Sequence, residues 1–484
     1  MAEPCRGRAV VAGVLCAVGL AALSGGGAAA SAPGSVPPLP GEWWWDAMGV
    51  DELHDLGRGE GVTVAVVDGP IESDVPDLQG VVVSSETMCL DPARTSDPRP
   101  RSPRGTGTEA EHATSMAALI AGTGRGTGPG GRGIRGIAPE ATVRHYAVLY
   151  DDPQHPDDLT CGIDFPDGDD VDRAVGLAIA EAARDGADVI NLSLVTGYSR
   201  EIEDGLLTAY REGAVVVAGT GNAASRVEWP GLGNGVVLVN PVGQDGRTTD
   251  FAVTGSDAIG LAAPGEDVMA GRDDGSGWRS TTLGSGASIA TALVSGGIAA
   301  LWSAHPDATA GQVLQAARQN VGLRAKDDGS GYRTWFRRVG ADLPQVQSRN
   351  AAYGWGIFAP ADAVRVDPTA LERTNPFVRD DDTINGPDPA AIAAATAAGG
   401  TPEPAASPSA AGSGEPAGEA AASASPPEGT ARPWWPLGAA ALALTAVAGA
   451  VGYARRHATT DQARTTTDGT RHGAAPAEGR NHEC

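Results

Sequence analysis

The sequence predicts an α/β domain of three layers, a mainly parallel central sheet covered on both faces by helices, with an N-terminal signal peptide before it and one C-terminal transmembrane helix after it. Three observations carry this expectation. Short β-branched runs alternate with segments of helical spacing between residues 41 and 366. An apolar stretch without Asp, Glu, Lys or Arg lies near each end of the chain. A stretch rich in Ala, Pro, Gly, Ser and Glu separates the alternating region from the second of them.

At the N-terminus, Arg6 and Arg8 precede the apolar run from Ala9 to Leu23, and small residues follow to Ala32. That is the layout of an export signal over 1–32, cleaved near Ala32. The run is short for an uncleaved anchor. Cys16 follows Leu15, a large residue where a lipoprotein signal needs a small one, so no lipid anchor is read. Residues 33–60 form a short N-terminal extension. The runs at 62–68, 143–150, 187–194, 214–219 and 235–242 have strand length and composition, and 169–186 and 201–213 have helical spacing. Strict alternation of the two means a parallel sheet with helices on both faces, where sites gather at the carboxyl ends of strands.

From 367 to 432 the composition cannot bury enough apolar surface to order itself, which predicts a flexible stalk. Residues 433–454 then read as a transmembrane helix. Pro436 to Ala454 would reach roughly 27 Å at 1.5 Å per residue. Trp434, Trp435 and Tyr453 sit where interfacial aromatics belong, and Arg455 and Arg456 place the tail, 455–484, in the cytoplasm. The domain between signal and anchor is therefore expected outside the cell membrane. With 60 acidic against 35 basic residues and a formal charge of −25, nucleic acid or an anionic lipid surface is excluded as main partner. Cys89 and Cys161 both fall on the exported side, where a disulfide persists. If they pair, the closed loop contributes roughly 4 kcal/mol in the chain-entropy picture.

Four residues stand at the ends of these elements. Asp68 ends a strand, His112 heads "EHATSMAALIAGTG", Asn222 follows "VVVAGTGN", and Ser288 opens the buried apolar helix "SIATALVSGGIAALW". Each alone has an ordinary structural explanation, as turn residue, packed histidine, turn former or helix N-cap. Together they supply a nucleophile, a base, a group to orient that base, and a donor for an oxyanion, in the chain order Asp, His, Ser.

The motifs "VAVVD", H-x-T-x-x-A-x-x-I-A-G, "GIAPEATV", "VINLSL", "VVVAGTGN", "LAAPG" and G-x-S-x-A-T resemble those of the subtilases, the subtilisin-like serine proteases, in the same order over about 300 residues. The resemblance implies a subtilisin-like peptidase domain over 61–366. It makes Ser288 the nucleophile, His112 the general base and acid, Asp68 the residue that orients His112, and Asn222 the oxyanion donor. Ser193, Leu194 and Val195, with Thr196, would line the pocket for the side chain before the scissile bond. The signal, the short extension, insertions carrying Cys89 and Cys161, the stalk and the C-terminal anchor together resemble the mycosins, membrane-anchored subtilases associated with type VII secretion. That implies exported protein or peptide substrates and secretion-complex subunits as partners.

Several positions depart from the subtilase pattern. Gly69 and Pro70 stand where a small hydroxyl residue and Gly are usual, so a hydrogen bond to Asp68 is expected to be missing. Ala113 replaces a glycine, Ala287 and Ala292 stand for Thr and Pro, and "SLVT" stands where two glycines commonly follow "SL". Val195 and Thr196 should narrow the pocket and favour small side chains. No cofactor is expected: "YDDPQHPDD" and "DFPDGDDVD" are acidic, but neither has calcium-loop spacing. Two functions remain open. One is a membrane-anchored serine endopeptidase; the other is a catalytically weak or inactive scaffold of a secretion complex.

Overall fold

Strand β1 (Thr63–Asp68) sets the layering. Val64 and Val66 are buried in one apolar cluster, Ala65 and Val67 in another. A strand buried on both faces needs cover on both. The computed structural model supplies it over the described residues, which are 38–91, 99–151, 159–162, 170–325, 332–334, 349–380 and 385–399.

Six further strands join β1 in one sheet: β2 (Val82–Thr87), β3 (Thr142–Ala147), β4 (Val189–Leu192), β5 (Val215–Gly219), β6 (Val237–Val242) and β7 (Leu261–Pro264). Their order is β7-β6-β5-β4-β1-β3-β2, and every pairing is parallel. Because β1 has β3 on one side and β4 on the other, successive crossovers diverge at its carboxyl end, where open parallel sheets place their sites. The run at 143–150 leaves the sheet at Ala147; Tyr150–Asp151 pairs instead with Leu159–Thr160.

One face is covered by α1 (Trp43–Met48), α2 (Val50–His54), α3 (Thr108–Ala121), α6 (Ala287–Ser303), α7 (Ala310–Gln319) and α8 (Pro360–Ala363). The other carries α4 (Asp170–Arg184), α5 (Arg200–Glu212) and α9 (Pro389–Ala398). Helix α6 is buried on nearly every side, in line with its uniformly apolar sequence. Small residues let it approach α3: a Cβ added to Gly296 would lie 3.2 Å from the Ile120 carbonyl oxygen. Ser199 caps α5 by accepting from the Ile202 N–H, and Gly213 ends it in the left-handed region, φ 79°.

The extension is part of the core. Trp44, Trp45 and Met48 are buried, and the buried Glu42 carboxylate pairs with Arg132 at 3.0 Å and Arg135 at 2.9 Å. Cys89 and Cys161 are joined by a disulfide, with Cα atoms 4.6 Å apart.

Composition placed the end of the domain at 366, but described residues as far as 399 pack on its core. Phe377, Ile392 and Ala395 are buried in the two main clusters. The buried Asn234 side chain accepts from the Arg379 N–H at 2.8 Å and donates to the Arg379 and Pro387 carbonyls at 3.0 and 3.2 Å. The alanine-rich segment 389–398 is helical because one side of it packs on α5, a contact that composition does not record. Among the described residues no helix is long and apolar enough to cross a membrane. The expected signal, the span at 433–454, the tail and most of the stalk lie outside them.

Candidate active site

Asp68 is the last residue of β1 and is fully buried. Its Oδ1 accepts from the Gly69 N–H at 2.7 Å and lies 2.8 Å from His112 Nδ1. Oδ2 is buried with no hydrogen-bond partner among the described residues. The position where a hydroxyl side chain is usual in subtilases is Gly69, which has none. Gly69 is also packed flush on α3: an added Cβ would lie 2.6 Å from the Glu109 carbonyl oxygen.

His112 stands in the second turn of α3. With Nδ1 held by the carboxylate as an N–H donor, Nε2 is left as the basic nitrogen. Burial opposes the charged ring, but the charge and hydrogen bond of Asp68, with help from Glu109, outweigh it and raise its pKa above 6.5. The side chain keeps 32% of its surface exposed, which limits the cost of desolvation and favours the same direction.

Ser288 is the second residue of α6. It is not the N-cap: that position is Gly286, with no side-chain cap. The Ser288 hydroxyl donates instead to the Ser193 carbonyl at 3.0 Å and not to the His112 ring. A relay of buried polar groups ties this turn of α6 to β4. Ser295 Oγ donates to Asn191 Oδ1 at 2.9 Å, Asn191 Nδ2 donates to Ser193 Oγ at 3.0 Å, and Ser193 Oγ donates to the Ser288 carbonyl at 2.9 Å. Asn222 approaches from the loop after β5, and its Oδ1 accepts from the Ala287 N–H at 2.9 Å. That bond assigns the amide orientation and leaves Nδ2 as its available donor. Helix-terminal amides, Ser288 N–H among them, lack intrahelical acceptors and lie beside it.

These groups meet in a cavity of about 280 Å³. His112, Ser288, Asn222, Ser193, Leu194 and Val195 all line it. Thr196, expected to narrow it, does not; its N–H donates to the Trp229 carbonyl at 2.6 Å. Val195 packs against Gly221 in the cavity lining, and a Cβ added to Gly221 would meet Val195 Cγ1 at 3.0 Å. Glu109, one helical turn before His112, also lines the cavity. Burial first, then the charge of Asp68, raises its pKa.

Glu109, Asn191 and Ser295 were not among the residues singled out from the sequence. A signal existed for Asn191, since an amide in the middle of a strand buried on both faces has to be satisfied internally.

A three-layer α/β fold with an aspartate, a histidine and a serine converging from β1, α3 and α6 defines a subtilase, and residues 59–356 match the Subtilase family. The chain belongs to that family. Thermitase of Thermoactinomyces vulgaris is 30% identical over 216 residues, 44% of this chain and 66% of thermitase. Mycosin-1 of Mycobacterium tuberculosis is 26% identical over 389 residues, 69% of this chain and 80% of mycosin-1. Among solved structures, fervidolysin of Fervidobacterium pennivorans aligns with a TM-score of 0.50 at 23% identity, covering 67% of this chain and 45% of that one. The MycP3 protease from the type VII (ESX-3) secretion system aligns at 0.48 and 24%, covering 69% and 90%. By sequence, the matched region spans 66% of the length of thermitase and 30% of that of fervidolysin.

Proposed function

We propose that the chain is a mycosin-like serine endopeptidase, exported and held at the cell membrane by its C-terminal helix, that cleaves exported proteins through an acyl-enzyme. The observation that carries this reading is the 2.8 Å contact of His112 Nδ1 with Asp68 Oδ1 in the cavity that also presents Ser288 and Asn222. In the reaction Ser288 Oγ turns from the Ser193 carbonyl, loses its proton to His112 Nε2 and bonds to the substrate carbonyl carbon. Asp68 holds the ring and its developing charge. Asn222 Nδ2 and the Ser288 N–H donate to the oxyanion. The C–N bond breaks as His112 protonates the leaving amine, and water then releases the acyl group by the same steps.

Work beside a type VII secretion complex, on substrates with a small side chain before the scissile bond, is supported by the likeness to mycosin-1 and by Val195 at the pocket wall. The orphan Asp68 Oδ2 and the turned-away Ser288 hydroxyl favour a second reading, a scaffold with little activity. Labelling with a fluorophosphonate decides between them. The first reading expects modification of the wild type and none of Ser288→Ala, with strong loss in His112→Ala. A folded wild type that stays unlabelled supports the scaffold.

A further inference from the structure

A second histidine lies behind the first. His145, in the middle of β3, has no exposed surface. The parallel register sets it beside Ser85 of β2 on one side and Val66 of β1 on the other. Its ring spans two partners, with Nδ1 2.8 Å from Ser85 Oγ and Nε2 2.7 Å from the carbonyl oxygen of Gly69.

The chemistry of the partners fixes the proton. A carbonyl oxygen only accepts, so Nε2 carries the hydrogen and Nδ1 accepts from the Ser85 hydroxyl. The competing acceptor for that hydroxyl, the Pro103 carbonyl, is at 3.5 Å. Burial holds the His145 pKa down to about 4, so the ring is neutral at physiological pH and keeps this single tautomer.

Gly69 is the residue whose N–H supports Asp68 Oδ1. It has no side chain to anchor it, and Pro70 after it has no N–H to give. Its own N–H is taken by Asp68, which leaves its carbonyl as the group by which the loop can be held. We infer that His145, buffered by Ser85, is a positioning residue that fixes Gly69 and through it the orientation of Asp68 toward His112, in place of the hydroxyl that this chain lacks. This role rests on the protease reading of the site for its kinetic consequence but not for its structural one. Without the anchor the carboxylate is free to rotate in search of a partner for Oδ2 and to loosen its bond to His112. Because Asp68 is what lifts the His112 pKa, that loosening lets the pKa fall.

The test uses the full chain with ¹³C-labelled histidines, the His112 resonance being assigned with His112→Ala. His145→Leu is expected to lower the His112 pKa by about half a unit or more. It should also cut turnover of a peptide ester roughly tenfold with KM within about twofold of wild type. His145→Gln, whose Nε2 can still donate to Gly69, is expected to restore both to within roughly threefold of wild type. Should His145→Leu fail to fold, Ser85→Ala is the milder probe and shifts both quantities in the same direction. A His112 pKa that stays at the wild-type value or rises in the Leu variant overturns the inference, as does a rate loss that Gln shares fully. If the wild type hydrolyses nothing, the protease reading falls, and the His112 titration in the same samples still decides whether His145 positions Asp68.

Discussion

Asp68 sets one carboxylate oxygen between the Gly69 N–H and His112 Nδ1 and leaves the other buried without a partner. Two predictions belong at this scale. A base must be neutral to accept the Ser288 proton, and the His112 pKa is raised, so activity is expected to climb with pH through a midpoint above 6.5. A pH profile of kcat/KM that levels off below that value contradicts the assignment. The Asn222→Ala substitution removes a donor that meets the oxygen only once it carries charge. It is expected to lower kcat by about 10² to 10³ with little change in KM. The placing of Asp68 at a strand end, Asn222 just beyond one and Ser288 in the first turn of a helix was legible in the sequence, because each lies within a recognisable motif. The hydroxyl's turn toward Ser193 was not, since it depends on a carbonyl 95 residues away.

Among the elements, α6 and β4 are joined by the relay from Ser295 through Asn191 and Ser193 to the Ser288 carbonyl, so the helix that carries Ser288 is tied to the strand that leads into the pocket wall. Asn191→Leu takes the acceptor from the buried Ser295 hydroxyl and the donor from Ser193 Oγ, and is expected to cost about 1–3 kcal/mol, read from urea unfolding. If stability is unchanged, the relay is not holding α6. On the pocket wall, Val195→Gly opens the space facing Gly221. Cleavage of a peptide library is expected to extend from small to larger side chains before the scissile bond, and an unchanged preference would place the selectivity elsewhere. Strand β3 carries an acid-sensitive group. The folded pKa of His145 is about 4 against 6.5 unfolded, so the unfolded chain binds more protons between those values. Stability from this group is present above about pH 6.5 and is lost as pH falls toward 4, on the order of 3 kcal/mol in all. The alternation of strand and helix was readable from β-branched runs and helical spacing. His145 and Asn191 were not, because a polar residue inside an apolar run states that a partner exists without naming it.

At the scale of the whole molecule, the first and last described segments both pack on the core. Before β1, Trp44, Trp45 and Met48 enter the cluster that contains α3 and α6, and Glu42 locks the entry with two arginines. After α8, Phe377 joins that same cluster, and Ile392 and Ala395 of α9 are buried in the cluster on the other face. The composition of residues 367–399 resembles that of 400–432, and hydropathy alone cannot separate an alanine helix with a docking partner from one without. Asn234 makes the distinction physical, because it is fully buried and its partners are the backbone of residues 379 and 387. A chain ending at Val366 therefore loses the burial of Phe377 and Ile392 and leaves a buried amide unsatisfied. Taking about 1.5–3 kcal/mol for each apolar side chain and about 1–3 kcal/mol for the amide, the loss is at least about 4 kcal/mol. A chain ending at Gly399 keeps all three. Thermal unfolding of the two side by side is expected to give a Tm lower by many degrees for the shorter one. Equal values would mean that 367–399 rests on the domain without stabilising it, and that the boundary lies where the composition changes.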